Sequence, residues 1–158
     1  MIVVDSSVIV HFILHSTESE ELSAIIAKED RLAAPALIDL EVLNTLRKHV
    51  QFKQISPQVA ELAVAHYQEI NIELYDMRVL IRRVWDFRHN VTAYDAAYLA
   101  LAESLGVALL TRDARLFRGA PETSPSGWSK TSCRFRISFQ PLLYSALRIR
   151  TPDEQQAF

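Results

Sequence analysis

The chain has 158 residues, of which 49% are hydrophobic and 23% charged, and its formal net charge is −2. That is one domain's worth of chain, long enough to bury a sizeable core without staples. The single cysteine, Cys133, excludes an internal disulfide framework and a cysteine-rich zinc site, and only 3 glycines leave no glycine-rich phosphate loop.

Met1–Val4 is a short β-branched run that reads as a buried strand ending at Asp5. Ser6 or Ser7 can cap the helix that follows. The apolar segment Ile2–Leu14 is interrupted by Asp5 and His11 and lacks a basic lead-in, so it does not read as a signal peptide. No run approaches the ~18 uninterrupted apolar residues of a membrane span. Glu20–Ala27 reads as helix and Arg31–Ala34 as a short strand. Pro35 suits the first turn of the next helix, where a missing N–H costs little. That helix is expected from Ala36 to Phe52, with Leu37, Leu40, Leu43, Leu46 and Val50 at helical spacing. Ser56-Pro57 opens another, carrying Val59, Leu62, Ala63 and His66 on one face. Ile70–Leu74 is a strand, and Asp76 caps a helix with Val79, Leu80, Val84 and Phe87. Thr92 caps an alanine-rich helix that Gly106 ends, and Val107–Leu110 is the next buried strand.

Strands alternating with helices imply parallel pairing in an α/β sandwich. Short apolar strands with little alternation fit a sheet covered on both faces. After Arg118 the character changes. Residues 1–118 hold 12 Lys+Arg and 16 Asp+Glu, whereas residues 119–158 hold 5 and 3. Gly119–Ser132 is rich in Gly, Pro, Ser and Thr and reads as a loop. Arg134–Phe139 alternates like a strand, and Leu142–Ile149 reads as a short helix. The expected division is therefore a first domain over 1–118 and an atypical, partly loop extension over 119–158.

Four acidic residues stand out. Asp5 and Asp113 follow strands, at the carboxyl edge where open α/β sheets bind ligands. Glu41 and Asp95 lie near helix starts, where an acidic side chain also complements the helix dipole. Asp5, following Ile-Val-Val, is hard to justify as a solvated charge. Carboxylates converging at one edge repel unless a cation neutralises them. An all-oxygen set, without Cys or paired His, suits Mg²⁺ or Mn²⁺.

Four segments then carry a resemblance: Met-Ile-Val-Val-Asp5-Ser-Ser, Asp39-Leu-Glu41-Val-Leu-Asn44, Thr92-Ala-Tyr-Asp95-Ala-Ala-Tyr98 and Leu-Leu-Thr111-Arg-Asp113. In order and spacing they look like the signature segments of PIN domains, closest to the VapC-type toxins of toxin–antitoxin pairs. The resemblance covers residues 1–118. It implies a three-layer α/β/α sandwich around a parallel sheet of four to five strands, and a cytoplasmic, usually dimeric, Mg²⁺- or Mn²⁺-dependent endoribonuclease held by a VapB-type antitoxin. Carried over, Asp5, Glu41, Asp95 and Asp113 match the acidic, metal-holding quartet. Ser6 matches a small polar neighbour of the first Asp, and Thr111 the hydroxyl position before the last. Asn44, three residues after Glu41 on the same helix face, can orient that carboxylate or touch substrate. The implied chemistry is attack of a metal-activated water on a backbone phosphorus, leaving a 5′-phosphate and a 3′-hydroxyl.

An acidic chain needs local cations to hold RNA. Arg78, Arg82 and Arg83 form one cluster, Arg47, Lys48 and Lys53 another, and Arg112 and Arg115 flank Asp113. The 5 histidines, His11, His15, His49, His66 and His89, are scattered and need no metal role. Two rivals remain. A haloacid-dehalogenase-like phosphatase also begins with a strand and Asp, but needs a second Asp where Ser7 stands. A non-catalytic PIN-like module that binds RNA or protein would be expected to lack one of the four acids. The tail beyond Arg118 departs from the usual PIN ending.

Overall fold

A computed structural model describes residues 1–15, 24, 26–113, 116 and 136–137. Strand β1, Ile2–Val4, lies in the middle of the sheet, and all three side chains are fully buried. Helix α1 (Ser6–Leu14) follows, then β2 (Leu32–Pro35), α2 (Ile38–Gln51), α3 (Pro57–Glu69) and β3 (Ile72–Tyr75). A 3-10 turn at Arg78–Leu80 leads into the short α4 (Ile81–Asp86). Then come α5 (Ala93–Leu105), β4 (Leu109–Leu110) and β5 (Arg136–Ile137).

The strand order is β3-β2-β1-β4-β5. The first four run parallel, with Val3 opposite Ala33 on one side and Leu109 on the other. The expected parallel sheet is present, and its fifth strand pairs antiparallel, Leu110 against Arg136. The chain steps outward from β1 to β2 and β3, then crosses back to β4 on the other side of β1. With right-handed crossovers that reversal sends helices to both faces. Helix α1 packs on α2 and α3, and α5 packs on β1, β2 and β4. The core is aliphatic, built on Ile2, Ile9, Ile38, Leu46, Leu99, Leu101 and Leu109.

Several local expectations shift. Asp5, not Ser6 or Ser7, caps α1, because its carboxylate accepts both the Ser7 and Val8 N–H groups. Pro35 ends β2 instead of opening α2; it lies past the last β1 partner, and Ala36 supplies the next N–H, to the Tyr75 carbonyl at 3.0 Å. Helix α2 buries Ile38, Val42 and Leu46, while Leu40 is 72% and Leu43 43% exposed. In α3 Ala63 is buried, but Val59 and Leu62 face outward. The helix expected at Asp76 begins as the 3-10 turn, with the Asp76 carboxylate accepting the Arg78 N–H at 2.8 Å. The helix expected over 20–27 falls largely, and that over 142–149 wholly, outside the described residues.

Thr92 caps α5 as expected, its hydroxyl accepting the Asp95 N–H at 3.2 Å. Gly106 ends α5 in the left-handed region, φ 64°, where a Cβ would crowd the following carbonyl. Gly106→Ala is expected to destabilise the chain by roughly 1 kcal/mol. Urea unfolding measures it, and an unchanged midpoint would contradict this account of the α5–β4 junction.

Candidate active site

The reversal of strand order falls between β1 and β4. Beyond the carboxyl ends of two such strands the crossovers diverge and leave a crevice. Asp5 follows β1 there, and Thr111 follows β4. Both are buried, Asp5 at 4% and Thr111 at 1% exposed.

A buried carboxylate needs every oxygen satisfied. Asp5 Oδ1 accepts the Ser7 N–H at 2.7 Å, the Val8 N–H at 3.2 Å and the Ser7 hydroxyl at 2.5 Å. The Thr111 hydroxyl donates to Oδ2. The Asp5 N–H reaches the Leu110 carbonyl at 3.2 Å, and the Arg112 N–H donates to Ser7 Oγ at 3.0 Å. The end of β4 is thus stitched to the start of α1 through Asp5 and Ser7. Thr111 Oγ1 also accepts the Asp113 N–H at 2.9 Å, which sets the half-buried Asp113 on the same rim.

Glu41 comes from the first turn of α2 and is half-buried. It accepts hydrogen bonds from the hydroxyls of Tyr98 and Ser6. Asp95, in the first turn of α5, accepts the Thr92 hydroxyl at 2.8 Å. Burial pushes the Asp5 carboxyl above the usual range, opposed by its bonds to Ser7, Thr111 and Val8. Burial also raises Glu41, with the negative charges of Asp5 and Asp95 adding to the push and the Tyr98 and Ser6 hydroxyls opposing it. Burial and the Glu41 charge hold the Tyr98 phenol far above its ordinary value. Glu41 therefore lies within electrostatic reach of two of the other predicted acids, Asp5 and Asp95.

The remaining expectations divide. Ser6 and Thr111 sit on the carboxylates. Asn44 is exposed, and its Oδ1 accepts the Arg47 guanidinium at 3.1 and 3.4 Å. Arg112 contributes its backbone N–H while its side chain faces solvent. Two residues in direct contact with the acids were not singled out from sequence, Ser7 and Tyr98. Tyr98 lies three residues after Asp95, one turn along α5, and that spacing was the available signal.

The donor chemistry suits a hard divalent cation. Asp5 and Glu41 offer carboxylate oxygens, with hydroxyls of Ser6, Ser7 and Thr111 against them. Among the described residues, however, no three ligating side chains stand close enough to grip one ion. Hydroxyl and N–H partners hold the carboxylates instead, so a cation would enter by exchange with those hydrogen bonds.

A family model described as PIN domain matches residues 2–121. "VapC ribonuclease Mb0985" of Mycobacterium bovis is 35% identical over 116 residues, 73% of this chain and 88% of that protein. "Ribonuclease VapC1" of Mycobacterium tuberculosis is 38% identical over 115 residues, 72% of this chain and 86% of that one. The crystal structure of PAE2754 from Pyrobaculum aerophilum superposes with a TM-score of 0.59 at 24% identity, covering 75% of this chain and 78% of its own; at that identity it speaks for the fold.

The raised Asp5 pKa has a stability consequence. A carboxyl whose folded pKa lies above its unfolded value contributes stability that is complete below the unfolded pKa and is lost as pH rises through the folded one. At neutral pH in chelator the Asp5 charge is therefore a liability. Asp5→Asn keeps an Oδ1 acceptor for the helix cap and removes the charge. It is expected to melt at or above wild type at pH 7, with the difference closing as pH falls into the carboxylate range. Asp5→Ala, which loses the cap, should cost about 1 kcal/mol or more. Thermal melts across pH check this; an Asn variant that melts well below wild type at pH 7 would contradict the burial account.

Proposed function

The chain belongs to the PIN-domain family and groups with the VapC ribonucleases, and on that premise we propose that it is an endoribonuclease, the toxin of a toxin–antitoxin pair, acting through Asp5, Glu41, Asp95 and Asp113. The observation that carries the reading is the buried Asp5 at the switch point, with Glu41 raised by its own burial and further by the nearby charges of Asp5 and Asp95. A structural role explains one buried, capped carboxylate. It does not explain why Glu41 lies within electrostatic reach of both that carboxylate and Asp95.

In this reading the four carboxylates hold Mg²⁺ or Mn²⁺. Such an ion, when bound, lowers the pKa of a water and steadies charge on phosphoryl oxygens. The chain's own part is positioning. Thr111 and Ser7 orient the Asp5 carboxylate, and the α1 N–H groups hold it in the charge-favouring end of a helix dipole. Tyr98 and Ser6 orient Glu41, and Thr92 orients Asp95. Hydrolysis leaves a 5′-phosphate and a 3′-hydroxyl. The nuclease unit is assigned to residues 1–118, with 119–158 an appended segment.

The resemblance to VapC-type toxins implies an antitoxin, and we assign it to the outer faces of α2 and α3. Leu40, Leu43, Phe52, Val59 and Leu62 are exposed large apolar side chains on or beside these helices. Exposed apolar side chains in such number on two packed helices suit a partner surface. A cleft of about 490 Å³ lies beneath, between Leu43, Val64, Tyr67 and Leu74. The assignment is a VapB-type antitoxin on this surface, an RNA substrate, and a homodimer working in the cytoplasm. Among the described residues no helix is long and apolar enough to cross a membrane.

Asp5→Asn and Asp95→Asn are each expected to lower RNA cleavage by at least about a hundredfold, the scale on which loss of a charge-stabilising group acts in hydrolytic sites. Mn²⁺ or Mg²⁺ should raise the wild-type melting temperature by mass action, and much less in Asp5→Asn. Gel assays on purified protein and melts with and without chelator test both. Wild-type cleavage by Asp5→Asn sinks the assigned site.

Co-expression with the gene neighbour should yield a complex lacking nuclease activity. An antitoxin Arg paired with these carboxylates bidentately would make Asp95→Asn weaken that complex. Leu40→Glu with Leu43→Glu should break it by placing charge on the apolar face. Recovery of active, unpartnered protein from a host expressing both genes would overturn the partner assignment.

A further inference from the structure

The turn between α4 and α5 builds a cleft that the acidic site does not account for. It encloses about 590 Å³ and is lined by Arg88, His89, Asn90, Val91, Thr92 and Asp95. Five of these six side chains are polar, and one is a carboxylate of the proposed site. Trp85, three residues before Arg88, is 60% exposed. The Arg88 guanidinium lies over its ring, 5.2 Å from the centroid, and Nη1 donates to the Trp85 carbonyl at 3.1 Å.

Two neighbouring arginines have carboxylate partners. Arg83 makes a two-point bond to Glu103, at 2.6 and 3.0 Å, and covers the Phe87 ring. Arg82 is paired with Asp86 at 3.6 Å. Among the described residues no carboxylate is paired with Arg88. An indole with a guanidinium fixed across it forms a flat surface that accepts a nucleobase on its π-face while the cation meets a phosphate.

Resting on the nuclease reading, we propose that Trp85 and Arg88 form the entry platform for single-stranded RNA, stacking one unpaired base and leading the strand through the Arg88–Asp95 cleft to the acidic site. Polar lining favours a polar chain over an apolar protein segment, since burying these side chains against apolar surface leaves them unpaired. Stacking tolerates any base, so the platform contributes affinity and a demand for unpaired RNA, with little sequence choice. These are positioning residues, acting before the chemistry.

The test uses the full chain carrying Trp128→Phe, which leaves Trp85 as the only one of 2 tryptophans. A mixed-sequence single-stranded oligoribonucleotide is titrated in chelator, so that binding is read without cutting. Quenching of Trp85 is expected, weakening as salt rises. In chains retaining Trp128, Trp85→Ala and Arg88→Ala should each weaken binding about tenfold, the loss of roughly one stacked base. Each should raise KM much more than it lowers kcat, and Trp85→Phe should restore most of the affinity. Duplex RNA should bind more weakly than single strands. Unchanged affinity and KM in both Ala variants, with the wild type cutting, overturns the platform and leaves the nuclease reading intact. A wild type that binds through Trp85 yet never cuts with Mn²⁺ overturns the nuclease reading and retains the platform. If Trp85 responds to protein concentration or to the antitoxin but not to RNA, the surface is a protein interface and the proposal fails.

Discussion

The structure turns on one carboxylate placed where a carboxylate is expensive. Asp5 ends the central strand and is almost wholly removed from water. An ionised group there is tolerable only if its oxygens are saturated, and the surrounding elements supply the donors. Helix α1 starts at Asp5 and aims two N–H groups at it, and β4 delivers Thr111. The central strand, the first helix and the last parallel strand are therefore fastened by one side chain. The same side chain stands at the switch point between β1 and β4.

From this follows the division of labour around the site. Hydroxyls, not cations, hold the acids: Ser7 and Thr111 on Asp5, Tyr98 and Ser6 on Glu41, Thr92 on Asp95. A hydroxyl donates one bond without cancelling charge, so the negative field survives. Lysine or arginine in those places would quench the field and leave little attraction for a cation. Burial raises the Glu41 carboxyl, and the charges of Asp5 and Asp95 add to that push. The protein carries an unfavourable interaction at its centre, as functional sites commonly do.

Much of this was legible in the residues. Four short parallel strands, the Thr92 and Gly106 ends of α5, and the position of Asp5 at a strand's carboxyl end follow from composition, capping and alternation with helices. What spacing could not decide was which face of a doubly apolar helix turns inward. In α2 the run Leu37, Leu40, Leu43, Leu46 mixes two stripes. The core takes Ile38, Val42 and Leu46 and leaves Leu40 and Leu43 to solvent. Both stripes satisfy a helical period, and only contact with α1 selects between them. Asn44 meets its helix neighbour Arg47 rather than Glu41, a pairing invisible in a motif. Tyr98 went unnoticed because a tyrosine in an alanine-rich helix reads as core. Its ring is core, and its hydroxyl belongs to the site.

The arginines carry the same lesson into recognition. Arg78, Arg82 and Arg83 look like a phosphate-binding cluster when counted along a helix. Structure spends Arg83 on joining α4 to α5 through Glu103, and Arg82 on its own helix through Asp86. A guanidinium engaged by two carboxylate oxygens has little left for a phosphate. Arg88, outside the counted cluster, lines the Asp95 cleft, and among the described residues its guanidinium meets the Trp85 carbonyl and ring and no carboxylate. Affinity for a polyanion in an acidic protein thus depends less on how many cations a helix carries than on which of them the fold leaves unneutralised beside the acids. The turn at residues 87–92 does both jobs. It caps α5 through Thr92, which fixes Asp95, and it presents Arg88 a few residues earlier, so the helix start that positions the acid also positions the cation that must bring the substrate to it.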